Sequence, residues 1–333
     1  MTDNSAGLKA PTADAAALPR IGAVVIGRNE GDRLVACLGS LPEGMKPVVY
    51  VDSGSTDGSV AAARAAGARV VALDMSLPFT AARARNAGFA ALMQEAQPEF
   101  VQFLDGDCVL GPGWAAAAID FLQENPGVAV VCGRRRERYP EASVYNRLCD
   151  AEWDTPVGQA KACGGDAVMR TGAVAAVGGF DESLIAGEEP ELCLRLRREG
   201  WTIWRIGREM TLHDAAMTRF GQWWKRSRRA GHAFAEGAAM HGSAPEYHWV
   251  RETRRALAWG AVLPVVTLLG LVVTPWAGLL LMAYPLQVLR LSRQLGWERA
   301  FFTTLGKFPE ALGALHYRLN RLFRRRAGLI EYK

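Results

Sequence analysis

The chain has no CxxC pair among its six cysteines, no basic start followed by an apolar stretch, and no charged side chain between residues 256 and 289. Each absence excludes something. Without paired spacing, Cys37, Cys108, Cys132, Cys149, Cys163 and Cys193 form neither a zinc knuckle nor a disulfide framework, and reduced, mostly buried thiols are expected. The first twenty residues, rich in Ala, Asp and Thr, do not have the layout of a secretory signal, so residues 1–20 are expected to be a disordered tail in the cytosol. Balanced charge is missing too. Residues 21–200 hold 17 Lys or Arg against 24 Asp or Glu, a net −7, whereas residues 201–333 hold 20 against 8, a net +12. An acidic front suits metal binding. A basic back beside an apolar run suits anionic lipid headgroups better than nucleic acid, and no nucleic-acid partner is expected.

What is present from Ile21 onward is an alternation of apolar runs with amphipathic segments. IGAVVIG, PVVYVD, RVVAL and FVQFLDGD read as buried strands. The Leu34, Cys37, Leu38, Leu41 spacing, SVAAARAAG and FTAARARNAGFAALMQEA read as the helices between them. Strands alternating with helices predict an α/β, Rossmann-like, doubly wound and mostly parallel sheet over residues 21–245. In such sheets ligands gather at the carboxyl ends of the strands. Arg28, Asn29 and Glu30, then Asp52 and Ser53, then Asp105 and Asp107 follow those ends and should converge on one crevice.

The 34 uncharged residues from Ala256 to Leu289 would make one helix of roughly 51 Å, too long for a hydrocarbon core of about 30 Å. The run must turn, and Thr274-Pro275 is the natural place, giving a hairpin of two short legs over 256–289. Pro264 and Pro285 could kink the legs, and a re-entrant dip stays open beside full crossing. Arg251, Arg254 and Arg255 before the run and Arg290 and Arg293 after it put both flanks on the cytoplasmic side. Residues 290–333 are expected to form a basic amphipathic segment lying on the surface, with Leu319, Leu322 and Phe323 beside Arg318, Arg321 and Arg324 to Arg326.

The strongest single signal is FLDGDCVL. Asp105 and Asp107 at a strand end can share a hard divalent cation able to neutralise a nucleotide's pyrophosphate, although Asp and Gly are also ordinary turn residues. The order VVIGRNE, VYVDSGSTDGS, ARARNAG, FLDGDC resembles the nucleotide-binding half of family 2 glycosyltransferases of the GT-A fold, over roughly residues 21 to 240. The resemblance implies that Glu30 and Asp52 approach the nucleoside and Arg85 the base or phosphates. It also implies that Asp105 with Asp107 meets the diphosphate through Mg²⁺ or Mn²⁺. Ser55 and Asp57 are equally well explained as turn residues, and Asn86 as a backbone tie.

GGFDESLIAGEEPELCLRLRREGW is similar to the family's second constellation, an acidic pair before a helix that continues with an acid, Leu and Arg. Here Glu188-Glu189 stands where Glu-Asp is usual. Pro190 disfavours helix in its predecessor, so Glu189 is expected to be the cap residue in a strand-like conformation, with its charged form favoured by the helix terminus. Glu189, with Glu188 as the alternative, is the expected base that takes the proton of the attacking hydroxyl. His213 in TLHDAAMTRF is a candidate third metal ligand, and Asp166 and Glu191 are candidate acceptor contacts. Gln222 to Arg226 only partly match the QxxRW element of processive synthases, and a basic helix bordering a membrane accounts for them as well.

The expected activity is inverting transfer from a nucleoside-diphosphate sugar, UDP being favoured by the resemblance, to a lipid-linked or membrane-proximal glycan acceptor, as in surface polysaccharide assembly. The expected place is the bacterial inner membrane, with the catalytic domain facing the cytoplasm. A catalytically silent nucleotide-sugar-binding subunit and a processive synthase are the competing readings. A sugar-phosphate nucleotidyltransferase is disfavoured by Glu30 in the loop that would have to hold a triphosphate.

Overall fold

The computed structural model describes residues 21–323, so the expected 1–20 tail and the Arg324 to Arg326 cluster lie outside the described residues. Strand β1 (Ile21–Gly27) sits between β2 (Val48–Asp52) and β4 (Phe100–Asp105), and β3 (Arg69–Ala72) flanks β2. All three pairings are parallel. Because β1 is covered on both faces, residues 21–26 are all buried and read as an apolar run without alternation. The connecting helices are Asp32–Gly39, Ser59–Ala65 and Ala81–Glu95, close to the segments expected from periodicity.

The second half adds β5 (Cys108–Leu110), β6 (Val128–Glu137), β7 (Gly158–Ala160), β8 (Ala167–Arg170) and β9 (Thr202–His213). The path runs β3-β2-β1-β4-β8-β6-β9-β5, with β7 on β9. This half is mixed. β8 is antiparallel to both β4 and β6, β5 and β7 are antiparallel to β9, and β6 is parallel to β9. The antiparallel entry of β8 has a consequence for function. Ala167 pairs with Phe103, so the two residues preceding β8, Gly165 and Asp166, arrive beside the carboxyl end of β4.

The apolar run turns where expected. Thr274 is extended (φ −154°, ψ 137°), and Pro275 opens a tight 3₁₀ stretch to Met282 that leads into the helix Ala283–Leu295. The first leg is longer than expected, a continuous helix of 24 residues, Val250–Val273, that takes in Arg251, Arg254 and Arg255. Pro264 does not end it, being accommodated just after one turn of π-helix over Ala258–Val262. Residues 290–323 differ from the single surface-lying segment expected. They comprise the end of one helix, then Trp297–Leu305 and Lys307–Leu322. The last helix packs along Phe220–His241, burying Pro309, Ala311, Gly313 and Ala314. Small residues allow this approach, since a Cβ on Gly231 would lie 2.0 Å from the carbonyl oxygen of Glu310 and one on Gly313 2.0 Å from that of Arg228. Trp223 packs with Tyr145 and Phe302, the bidentate pair Arg147–Glu298 joins the sheet domain to the C-terminal helices, and Arg226–Glu152 ties Phe220–His241 to the helix Val144–Trp153.

Candidate active site

Loop chemistry after β1 and β2 is made of turn bonds. Asn29 Oδ1 accepts from the Thr56 amide, Ser55 Oγ from the Asn29 amide, and Asp57 Oδ1 from the Ser59 amide, so Ser55 and Asp57 shape these loops. Asp52 is buried and its carboxylate accepts from the Gly54 and Ser55 amides and from the Tyr50 hydroxyl. Glu30 pairs with Arg33 at 2.8 Å and packs over Gly106 in the β4–β5 turn. Asn86 ties backbone, bonding both the carbonyl and the amide of Phe180.

Arg85 is the centre of the site. It lies one turn into the helix Ala81–Glu95, is 3% exposed, and reaches three carboxylates at 2.9 Å: Asp105 through Nη2, and Glu188 and Glu189 through Nη1. One guanidinium thus joins the end of β4 to the start of the helix Glu188–Arg198, whose Glu188 is 103 residues from Arg85 in sequence. A second, half-buried arginine, Arg135 on β6, holds Asp105 Oδ2 at 3.2 Å and Asp166 at 3.4 Å, and stacks 5.0 Å over Trp153. Asp166 is fully buried, accepting from the Thr211 hydroxyl and the Asp105 amide, which makes it a brace for β4 where acceptor contact was expected. Gly165 completes the packing: a Cβ there would lie 2.5 Å from Arg85 Nη2.

Glu189 is not the cap residue. Gly187 caps the helix at φ 85°, a left-handed conformation open to glycine, so Glu188 and Glu189 occupy the first helical positions and Pro190 the third, where a missing amide breaks no bond. Nor is the charged form favoured. Burial, with Glu188 beside it, pushes the Glu189 carboxyl up to about 7 against the pull of Arg85. Asp105 goes the other way: burial opposes its charge, but Arg85 and Arg135 hold it below the ordinary carboxylate value. Glu191 faces different partners, a bidentate bond from Arg195 and His241 at 3.1 Å, so its carboxylate ties the helix to its surroundings.

Asp107 and His213 are brought together by strand register. Cys108 pairs with His213 across β5 and β9, which leaves Asp107 Oδ2 3.3 Å from His213 Nε2. Ligand atoms of Asp107, Cys108 and His213 all lie within 4.8 Å of one another, as do those of Asp105, Cys108 and Asp166. Burial pushes the Cys108 thiol well up, and the hard donors of the two groups are carboxylate oxygens and an imidazole nitrogen. That set fits a hard cation such as Mg²⁺ or Mn²⁺. Five carboxylates, those of Asp105, Asp107, Asp166, Glu188 and Glu189, face two arginines here, leaving negative charge for a cation to offset. Sequence reasoning missed Arg135, Thr211 and Trp153. The available signal was RRR ending an otherwise buried strand, in which Arg136 turns outward to Glu209 and Arg135 inward.

The family model described as Glycosyl transferase family 2 matches residues 23–163. Among solved structures the chain is similar to a mannosyltransferase from Pyrobaculum calidifontis in complex with GDP-Man and Mn²⁺. Identity is 20%, the TM-score is 0.60, and 89% of this chain and 87% of that one are covered. A weaker likeness is to glucosyl-3-phosphoglycerate synthase from Mycobacterium tuberculosis, at 17% identity and TM-score 0.45 over 67% of this chain and 80% of that one. No curated protein matches the chain in sequence. Residues 23–163 thus match glycosyl transferase family 2, and the sheet they open has the GT-A fold.

Proposed function

We propose that the chain moves a sugar, with inversion, from a nucleoside-diphosphate donor to an acceptor hydroxyl activated by Glu189. The observation that carries this reading is the Arg85 hub, which links the acid at the diphosphate end of the crevice, Asp105, to the acidic pair beside it. The acceptor oxygen attacks the anomeric carbon from the face opposite the diphosphate, the bond to the diphosphate oxygen breaks, and the hydroxyl proton passes to Glu189. Held by Asp107 and His213 with Asp105 alongside, Mg²⁺ or Mn²⁺ would offset the charge of the leaving diphosphate. Arg85 keeps the acidic pair and Asp105 in fixed relation, and Arg135 keeps Asp105 ionised. Glu30 and Asp52 stand at the nucleoside end of the crevice. This arrangement gives every acid a role that a silent nucleotide-sugar-binding subunit would not need.

Membrane association is the second part of the proposal. The helix Val250–Val273 is long and apolar enough to cross a membrane, and the hairpin exposes Leu268, Leu269, Val272, Val273, Trp276 and Leu279. Arginines on both flanks favour the cytoplasmic face for the catalytic domain and for an acceptor close to that surface. A single hairpin forms no channel for a growing polymer, so transfer of one sugar is favoured over processive synthesis. Thermal denaturation with a panel of UDP- and GDP-sugars tests the donor half. A matching donor with Mn²⁺ should raise the melting temperature and the same donor with EDTA should not, and a panel with no metal-dependent shift would count against the reading.

A further inference from the structure

A cleft of ≈ 590 Å³ opens between residues 77–80, residues 182–185 and the ends of the helices Phe220–His241 and Lys307–Leu322. Thr80, in its wall, caps the helix that carries Arg85 and sits five residues before it, about 7.5 Å along the axis. Ile185, in the opposite wall, is three residues before Glu188. The two walls are joined by the Thr80 hydroxyl, which donates to the carbonyl of Glu182 at 3.1 Å. The lining combines apolar faces, Phe79, Ile185 and Tyr317, with the polar groups of Glu236 and Asn320. Glu236 Oε2 is buried and makes no hydrogen bond, and behind it the fully buried His232 places Nδ1 3.5 Å away without hydrogen-bond geometry. A buried carboxylate oxygen left unmatched is costly, and a ligand hydroxyl would satisfy it.

We propose that this cleft is the acceptor subsite and that its occupant is a carbohydrate. The inference rests on the transferase reading above. A sugar ring offers an apolar C–H face to Phe79 or Tyr317 and hydroxyls that donate to Glu236 and accept from Asn320. Formal charge in the lining cancels, Arg83 and Arg321 against Glu182 and Glu236, so the site lacks the excess positive charge that a phosphate would call for. An acyl or prenyl chain would offer Glu236 Oε2 no hydrogen-bond donor.

Saturation-transfer NMR on the full chain in detergent, with methyl α-D-mannopyranoside, methyl β-D-glucopyranoside and N-acetylglucosamine, tests the assignment. At least one glycoside should receive saturation at its ring C–H protons, and Tyr317→Ala and Glu236→Ala should each weaken that binding at least tenfold. Asn320→Ala serves if either variant fails to fold, as judged by its melting temperature. No binding by any glycoside, or binding that the variants leave intact, overturns the proposal. So does displacement of a bound glycoside by phosphatidylglycerol micelles but not by excess free sugar. Donor hydrolysis measured in parallel separates the two readings: hydrolysis without glycoside binding removes only the cleft assignment. Glycoside binding without hydrolysis of any donor removes the transferase reading.

Discussion

Glu189 has an ordinary carboxyl value of 4.5 that burial and Glu188 raise to about 7 in the folded protein. As a base it works only when deprotonated, so transfer should climb as pH rises through about 7 and level off above it, measured as initial rate from pH 5 to 9. The same shift has a sign for stability. Between 4.5 and about 7 the folded chain binds more protons than the unfolded one, so this group's contribution to stability falls as pH rises across that window. Glu189→Gln should therefore be at least as stable as the parent at pH 8, with the difference gone near pH 4. It should keep donor binding while losing roughly 10²–10⁴-fold in transfer, which a rate assay beside a thermal shift would show. Glu189 as the candidate base was readable from GEEPEL, but its charge state was not. The helix terminus argued for an ionised carboxylate, and burial beside a second carboxylate, invisible in sequence, outweighed it. Arg135 stayed hidden for the same reason: three successive arginines give no sign of which one points inward.

At the scale of elements, the parallel half was legible because β1 to β4 are short apolar runs separated by helices with clear periodicity. The mixed half was not, since β8 is four residues long and its antiparallel seat between β4 and β6 is set by distant partners. The helix start at Glu188 was misplaced by weighing Pro190 and overlooking Gly187. That glycine is also covered by Trp249, whose ring would lie 2.5 Å from a Cβ at residue 187. Gly187→Ala should cost roughly 1–2 kcal/mol from the left-handed backbone alone. It should also shift the acidic pair, lowering activity beyond what the loss of stability explains. Chemical denaturation and a rate assay on the same preparation check both. Gly165→Ala, by contrast, crowds Arg85 and Asp105 directly and should abolish transfer with the fold retained, as read by circular dichroism.

Across the whole molecule, the C-terminal helices are built onto the catalytic domain rather than trailing behind it. Gly231 and Gly313 let Lys307–Leu322 lie against Phe220–His241, and adding a methyl at Gly231 should cost about 1–3 kcal/mol through overpacking. A lowered melting temperature for Gly231→Ala would be the expected result. The hairpin turn at Thr274-Pro275 was legible from length and proline position, because an uncharged run has few ways to stop. The docking of residues 307–322 was not, because an amphipathic pattern does not say whether its apolar face meets lipid or another helix. The acidic crevice and the exposed apolar hairpin support the proposed reading, sugar transfer from a nucleotide donor beside a membrane. The most direct test is release of nucleoside diphosphate from UDP- and GDP-sugars by the purified chain with Mn²⁺. Release from at least one donor is expected, lost with EDTA and in Asp107→Ala. Release unchanged in that variant, or absent with every donor, would contradict the proposed reading.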